Sequence, residues 1–205
     1  MNDLEFAALL VSRVCHDLVS PVGAVVNGLE VLEDERDATM RADAFKLVVS
    51  SAEQAAARLQ FARIAFGAAG SAGAQLDLSE VGRMVRGLVR GGKVELDWQA
   101  APLNWPKDWA KLLMNATLLA ADSLPRGGIV KVETSADAAA PSFKVVATGQ
   151  GARLLEDVEK AVRGEPNGPI DGRSIQPFLT HRLARGLNAG FTVTAAENRI
   201  EMVAG

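Results

Sequence analysis

The 205-residue chain contains one cysteine and two histidines, and these low numbers exclude several kinds of site. A single cysteine cannot form an internal disulfide, which is typical of proteins from a reducing compartment. Two histidines and one cysteine are too few for a cluster of the His and Cys ligands that zinc prefers. We therefore expect no metal site of this kind, and a cytoplasmic location.

Dense clusters of Lys and Arg, long apolar runs and a secretory leader are also missing from the sequence. The net charge is −3, and no basic cluster is dense enough to follow a phosphate backbone, so we expect no nucleic-acid partner. The lack of a leader and of an 18-residue apolar run predicts that the chain does not enter a membrane. With 48% hydrophobic residues it can bury a large core, which predicts a soluble globular protein.

The first 34 residues have the periodicity of a long helix. Apolar or small residues recur in steps of three and four, which is the period of helices that pack along a bundle seam. These positions are Leu4, Ala7, Val11, Val14, Leu18, Pro21, Val25, Gly28 and Leu32. We predict a helix over residues 4–34, ended by the charged residues 34–37.

His16 lies in this helix beside Asp17, on the face opposite the seam. At about 100° per residue it is roughly 200° from Val14 and Leu18, so its imidazole should be exposed. Pro21 has no N–H for the carbonyl of Asp17, which predicts a bend one turn beyond the histidine. An ordinary surface histidine is the alternative. The His-Asp pair is similar to that of metal phosphohydrolases, but the chain lacks the further histidines of such a site.

The helix surface around His16 carries mostly small side chains. Residues three, four or seven positions away are its neighbours on a helix, and small neighbours let a second macromolecule reach the ring. The predicted docking residues are Ser12, Arg13, Val19, Ser20 and Gly23. We expect a protein partner to bind this surface.

A second helix is predicted over residues 39–66. Its apolar positions keep the 3.5-residue spacing for three heptads and are Phe45, Val48, Ala52, Ala55, Leu59, Ala62 and Phe66. Two helices joined by a short turn form a hairpin whose apolar stripes stay partly uncovered. Pairing of two chains in a symmetric four-helix bundle would cover them. A hairpin covered by its own C-terminal domain is the alternative.

Residues 67–74 are all glycine, alanine or serine, and predict a flexible linker between two domains. We place a helical hairpin domain at residues 1–68 and a second domain at residues 76–205. Beyond the linker, predicted helices cover residues 78–90, 105–124, 154–162 and 174–187, and predicted strands cover residues 94–98, 129–134, 142–147, 191–195 and 199–203. Interleaved helices and strands favour a mixed sheet with helices on one face.

The motif His16-Asp17-Leu18, followed by Pro21, resembles the H box of bacterial sensor histidine kinases. In these kinases the phosphorylated histidine lies on the first helix of a dimeric hairpin. The second half of the chain resembles their ATP-binding domain in outline. The resemblance implies an α + α/β fold, in which an N-terminal hairpin forms a dimeric four-helix bundle and an α/β sandwich follows.

The nucleotide motifs of these kinases are incomplete in this chain. Asn115, ahead of the turn at Gly127-Gly128, matches the first of two asparagines, but Leu119 replaces the second, which holds the magnesium of ATP. A leucine side chain cannot bind magnesium. Ala147 replaces the acid that binds adenine, and the last glycine box is reduced to residues 172–177. The chain therefore has the outline of a kinase without its nucleotide site.

A histidine box combined with degenerate nucleotide motifs resembles the ChpT-type histidine phosphotransferases, dimeric bacterial relay proteins that do not bind ATP. The resemblance implies that His16 accepts a phosphoryl group from the receiver domain of a hybrid histidine kinase and passes it to response regulators, with Asp17 as the adjacent acid. It implies no cofactor on this chain, and Mg²⁺ supplied by the receiver domain. Two alternatives are an ATP-dependent histidine kinase with a divergent pocket and a non-catalytic dimeric adaptor.

Overall fold

The structure is a computed structural model that describes residues 1–67 and 73–205. The helices are α1 (Asp3–Asp34), α2 (Ala38–Ala65), α3 (Leu78–Val89), α4 (Lys107–Asp122), α5 (Glu156–Arg163) and α6 (Ile175–Gly186). The strands are β1 (Gln75–Asp77), β2 (Val94–Gln99), β3 (Asn104–Pro106), β4 (Gly128–Thr134), β5 (Phe143–Thr148), β6 (Thr192–Ala196) and β7 (Arg199–Ala204).

The predicted N-terminal hairpin is confirmed. Helix α1 begins with a capping box, in which Asn2 and Glu5 each accept a hydrogen bond from the other's backbone N–H. The helix continues through Pro21 without a break. It packs closely on α2 at Gly28, where a Cβ atom would lie only 2.6 Å from Cγ2 of Val48. The missing side chain at Gly28 therefore lets the two helices approach.

The predicted seam is partly wrong. Pro21 and Gly28 are buried as expected, but Leu4 and Val11 are 80% and 62% exposed. On α2 the buried positions include Ala44 and Ser51, whereas Phe45 and Leu59 are exposed. Of the predicted α2 stripe, Phe45, Ala52 and Leu59 point outward, whereas Val48 meets α1 at Gly28. The face of α2 that meets α1 therefore only partly coincides with the predicted one.

The second half of the chain is a two-layer α/β sandwich, as predicted. Its five-stranded sheet has the order β2-β4-β5-β7-β6, with β2 and β4 parallel and the other neighbours antiparallel. Side chains of β4 alternate between the buried Val130 and Val132 and the more exposed Lys131 and Glu133. This alternation is typical of a sheet with one packed and one solvated face. Helix α4 lies against the packed face and is buried along most of its length.

Two differences from the sequence prediction concern the edges of this domain. Trp105, predicted to start a helix, lies in β3, which pairs with β1, and α4 begins only at Lys107. A three-residue ladder is too short to leave an alternating pattern in the sequence. Most of the predicted linker lies outside the described residues, but the carbonyl of Gly67 accepts a hydrogen bond from Lys111 Nζ at 2.8 Å, so this end is held against α4.

Candidate functional site

His16 lies on the middle of α1 with 87% of its side chain exposed. The predicted exposure is therefore confirmed, and packing does not explain this residue. Its Nδ1 atom lies 3.5 Å from Oδ1 of Asp17. A carboxylate beside one ring nitrogen favours a proton on that nitrogen and leaves the other nitrogen unprotonated. The arrangement favours Nε2 as the ring nitrogen with the free lone pair.

Asp17 is more than a solvated helix acid, because only 27% of its side chain is exposed. Its Oδ2 accepts a hydrogen bond from Arg13 Nε at 3.0 Å. Pro21 has no N–H to donate to the main-chain carbonyl of Asp17. This carbonyl instead accepts a hydrogen bond from Arg58 Nη1 on α2 at 3.0 Å. Both ends of Asp17 are therefore fixed by arginines.

Arg13 connects α1 to the second domain. Its Nη2 atom lies 3.3 Å from Oδ2 of Asp122 at the end of α4, and its Nη1 donates to the carbonyl of Gly172 at 3.4 Å. Burial lowers the pKa of Arg13, but Asp17 and Asp122 raise it by more. With 18% of its side chain exposed, Arg13 is turned inward. Arg13 thus points toward the second domain, and its predicted role in docking is not tested by the structure.

Asp122 is crowded by protein atoms although half of its side chain is accessible. This crowding raises the pKa of the Asp122 carboxyl, and the nearby Arg13 guanidinium acts in the opposite direction. Arg58, also from the hairpin, lowers this pKa to a smaller extent, and Asp17 raises it.

The other predicted docking residues do share the face of His16. On a helix with about 100° per residue, Ser12, Val19, Ser20 and Gly23 all lie within about 60° of the histidine. Val19 is 70% exposed, and a Cβ atom at Gly23 would meet nothing within 4 Å. The surface beside the imidazole is therefore open. Its role in docking stays a prediction.

A second surface of the hairpin is apolar and uncovered. On α1 it comprises Leu4, Ala8, Val11, Cys15, Val22, Val26 and Leu29. On α2 it comprises Phe45, Val49, Ala52, Ala56 and Leu59. We call these residues the apolar stripe. On α1 they lie to one side of His16, whereas Arg13 and Asp17 lie to the other.

Helix α1 is long and apolar enough to cross a membrane by length and composition alone. The sequence has no uninterrupted run of 18 apolar residues, because polar and charged residues such as Arg13 and Asp17 lie within this helix, but its mean hydropathy is high enough to pass. A core helix of a soluble protein and a signal sequence meet the same criterion, so one such helix is weak evidence for a membrane span.

A cavity of about 300 Å³ lies behind Asp17, between the hairpin and the second domain. Charged side chains from both domains line it, namely Arg13, Asp17, Arg58, Arg90, Lys93 and Asp122. Nε of Arg58 is buried there and has no hydrogen-bond partner among the described residues. The network around Asp17 therefore sits at the boundary of the two domains.

The position that matches a kinase nucleotide ligand is occupied by internal hydrogen bonds. Asn115 is completely buried, and its Nδ2 donates to the carbonyls of Ala65 and Lys111 at 3.0 and 2.9 Å. Its Oδ1 accepts from Gln176 Nε2 at 3.0 Å. Both N–H groups and the oxygen of this amide are therefore hydrogen-bonded, and they connect the end of α2 to α4 and α6.

The remaining nucleotide positions are also built into the fold. Leu119 and Ala147 are core residues with 2% and 0% exposure. At the start of α6, the carboxylate of Asp171 accepts hydrogen bonds from the backbone N–H groups of Arg173 and Ser174. These bonds lower the pKa of Asp171. The polar groups of this turn are therefore used within the chain.

The glycines of the degenerate motifs have a packing role. A Cβ atom at Gly149 would lie 2.4 Å from the carbonyl oxygen of Gly127, so the two turns touch through their backbones. The sequence interpretation that these glycines serve turns rather than a ligand agrees with this contact.

The second histidine, His181, is partly buried on α6 and stacks on Phe178 with ring centroids 6.2 Å apart. Burial and, to a smaller extent, Arg185 lower its pKa. Within residues 1–67 and 73–205, no group of three or more His, Cys, Asp or Glu is placed to hold a metal ion.

Arg58 and Asp122 are the site residues that sequence reasoning missed. They reach the histidine box from α2 and α4, and no spacing in the sequence relates them to it. The carbonyl freed by Pro21 indicated that some donor was needed, but not which one.

A family model, a relative and one solved structure point to the same family. A family model of the histidine phosphotransferase C-terminal domain matches residues 78–199. The protein phosphotransferase ChpT of Brucella abortus (strain 2308) is 40% identical over 200 residues, which cover 96% of this chain and 94% of the relative. A solved structure of a bacterial phosphotransferase has a TM-score of 0.89 at 37% identity and covers 100% of this chain and 98% of that chain. The histidine kinase AdeS of Acinetobacter baumannii also matches, with a TM-score of 0.48 and 12% identity over 92% of this chain and 95% of that chain.

Proposed function

Because the chain belongs to the ChpT-type histidine phosphotransferases, we propose that His16 is the phosphoacceptor through which it works in a phosphorelay. His16 receives a phosphoryl group from an aspartyl phosphate in the receiver domain of a hybrid histidine kinase. It then passes the group to receiver aspartates of response regulators. The observation that carries this proposal is an imidazole 87% exposed on α1 whose Nδ1 lies 3.5 Å from Oδ1 of Asp17.

The transfer forms one bond and breaks one bond. Nε2 of His16 attacks phosphorus, the bond from phosphorus to the receiver's carboxylate oxygen breaks, and the electron pair leaves on that oxygen. The ring then carries a phosphoramidate and a positive charge, which Asp17 balances beside Nδ1–H. The same steps in reverse deliver the group to the next receiver.

The chain mainly contributes position and access to this reaction. Phosphoryl transfer has a loose transition state, for which alignment and charge neutralisation matter most. We expect the receiver domain to bring Mg²⁺ for charge neutralisation, and this chain to need no cofactor of its own. Ser12, Ser20 and Gly23 leave room for the receiver to approach, and Val19 offers it an apolar contact.

The apolar stripe supports a homodimer. Its α2 residues recur in steps of four and three, as in helices that pack in a four-helix bundle. A second copy of the hairpin, related by two-fold symmetry, would cover the same residues on both chains. Pairing would also account for the apolar character of α1 in a cytoplasmic protein. The hairpin domain, residues 1–68, would then serve both dimerisation and transfer.

The second domain, residues 76–205, has no nucleotide role in this proposal. The saturated amide of Asn115 and the apolar Leu119 and Ala147 argue against the kinase alternative. The adaptor alternative leaves the fixed Asp17 beside an exposed imidazole without a purpose.

The experiment that tests the proposal uses a phosphorylated receiver domain as donor. Transfer should place acid-labile phosphate on the wild-type chain and on a His181→Ala variant, and none on His16→Ala. His16 is so exposed that its truncation removes little packing, so the variant should fold and pair as the wild type does. Phosphate on the His16→Ala protein, or its loss from His181→Ala, would contradict the assignment. A folded protein that accepts no phosphate would favour the adaptor.

A further inference from the structure

The guanidinium of Arg13 has each of its three nitrogens in a different contact. Nε donates to Asp17 on its own helix at 3.0 Å, Nη2 lies 3.3 Å from Asp122 of α4, and Nη1 lies 3.4 Å from the carbonyl of Gly172. The two contacts made by Nη atoms both come from the second domain. A planar guanidinium with bonds on three sides cannot turn without breaking one of them.

Asp17 divides its carboxylate between Arg13 and the histidine. Oδ2 accepts from Arg13, and Oδ1 is the atom 3.5 Å from Nδ1 of His16. The rotation of this carboxylate therefore decides how Oδ1 faces the ring. Since Arg13 holds Oδ2, the second domain acts on the orientation of Asp17 through Arg13.

We propose that Arg13 and Asp122 are positioning residues for phosphoryl transfer, through which the second domain holds Asp17 against Nδ1 of His16. This proposal rests on the proposed function of His16. It gives the second domain a role in the reaction that needs no nucleotide. Asp122 fixes Arg13, Arg13 fixes Asp17, and Asp17 keeps the ring proton on Nδ1 so that Nε2 presents its lone pair.

Other contacts between the domains allow a matched control. At the start of α1, Asp3 lies 3.6 Å from Arg182 of α6, and the Arg182 guanidinium lies 4.6 Å from the centroid of the Phe6 ring. These contacts also join the hairpin to the second domain, but they do not involve Asp17. An Asp3→Asn variant therefore removes an ion pair between the domains without touching the network at His16.

The first measurement concerns the ring of His16 and is independent of activity. In ¹⁵N NMR spectra of the full chain, wild type and Asp3→Asn should show His16 mainly with its proton on Nδ1. In Arg13→Gln and Asp122→Asn the two tautomers should approach the mixture found in free imidazole. The chain has only two histidines, so a His181→Ala background assigns the signals.

The second measurement is the rate of transfer from a phosphorylated receiver domain at increasing receiver concentration. Arg13→Gln should lower kcat by about 10-fold or more, because small errors in the alignment of the reacting groups strongly lower the rate of transfer. Asp122→Asn should lower kcat by a smaller factor, and Arg13→Lys should fall between wild type and Arg13→Gln, since one ammonium cannot replace a three-sided fork. KM should stay within about twofold, because binding of the receiver is not what these residues serve.

The proposal predicts lower kcat values and mixed tautomers in Arg13→Gln and Asp122→Asn, with Asp3→Asn unchanged. Equal kcat and equal tautomer populations in Arg13→Gln, Asp122→Asn and Asp3→Asn would overturn the proposal, and so would a rise in KM alone. If Arg13→Gln does not fold, the half-exposed and nearly isosteric Asp122→Asn carries the test. Failure of the proposed function is recognised separately, by transfer to His16→Ala.

Discussion

Arg58 donates a hydrogen bond to the carbonyl of Asp17, 3.0 Å away, and this is the carbonyl that Pro21 leaves without a partner in α1. The proline removes one hydrogen bond from α1, and the guanidinium of Arg58 on α2 donates a hydrogen bond to the same carbonyl in its place. The backbone next to His16 is therefore held by α2 instead of by α1 itself.

This relationship predicts a dependence between two substitutions. Arg58→Ala should lower the free energy of unfolding by about 1–3 kcal/mol, because it leaves a partly buried carbonyl without a partner. In a Pro21→Ala background the amide of residue 21 can donate to the same carbonyl, so the loss should shrink by about 1 kcal/mol or more. Urea unfolding of the four proteins measures the coupling. Arg63→Ala, an exposed arginine of α2, should change stability by less than about 0.5 kcal/mol. Equal losses in both backgrounds would contradict the repair by Arg58.

Leu59→Asp should convert the predicted dimer to monomer. Leu59 is 54% exposed in the single chain and belongs to the apolar stripe, so a carboxylate there would be buried without a partner in the bundle. Analytical ultracentrifugation at micromolar concentration measures the change. Ser50→Asp adds the same charge to a face of α2 turned away from the stripe and should leave the dimer intact. A wild-type chain that sediments as a monomer at these concentrations would refute the pairing.

Two glycines of α1 should respond in opposite ways to alanine. A Cβ atom at Gly23 meets open space, so Gly23→Ala should stabilise the protein by about 0.5–1 kcal/mol through helix propensity. At Gly28 the same atom would lie 2.6 Å from Cγ2 of Val48, a β-branched side chain with little freedom to move. Gly28→Ala should therefore destabilise the hairpin by about 1–3 kcal/mol. Thermal unfolding of the two variants compares them directly, and the same sign at both positions would contradict this packing.

Gly23→Leu should hinder the receiver domain without altering His16. The added side chain would project from the predicted docking face, so KM for the phosphorylated receiver should rise while the fold and dimer persist. Gly23→Ala, with one added carbon, serves as the control and should transfer at nearly the wild-type rate. Unchanged KM for the leucine variant would show that the receiver binds elsewhere.

ATP should not bind measurably. A bound nucleotide would need polar groups at Leu119 and Ala147, which are apolar core positions, and an amide at Asn115, which is already saturated. Isothermal titration with Mg²⁺ present provides the measurement, and micromolar affinity would restore the kinase alternative. A sensor histidine kinase titrated under the same conditions controls for the nucleotide.

Helical periodicity predicted the exposure of His16, because the face of a helix opposite its packed apolar face points into solvent. The same reasoning misplaced the seam of α2. This helix carries alanines on several of its faces, and an alanine can lie in a core or in solvent at little cost. Ala44 is buried and Ala52 is exposed, although their side chains are the same. Where small residues occupy two faces, the sequence shows that both are apolar without showing which meets its own chain.

The charged network could not be predicted for a different reason. Arg58 and Asp122 come from helices distant in sequence, and isolated charged residues usually belong to solvated helix faces. Only the tertiary arrangement brings them to Asp17. The pairing of β1 with β3 escaped prediction similarly, since three residues are too few to establish a period.

The buried amide of Asn115 has a thermodynamic consequence for the relay. A nucleotide-driven enzyme can couple hydrolysis to a preferred direction, whereas we expect no such coupling in a domain whose Asn115 amide is used by internal hydrogen bonds. A phosphoryl group held as a phosphoramidate on His16 would then exchange reversibly with every receiver that can dock. Net flux would follow the relative concentrations of phosphorylated and unphosphorylated receivers, so the direction of signalling would be a property of the partners and their mass-action ratio.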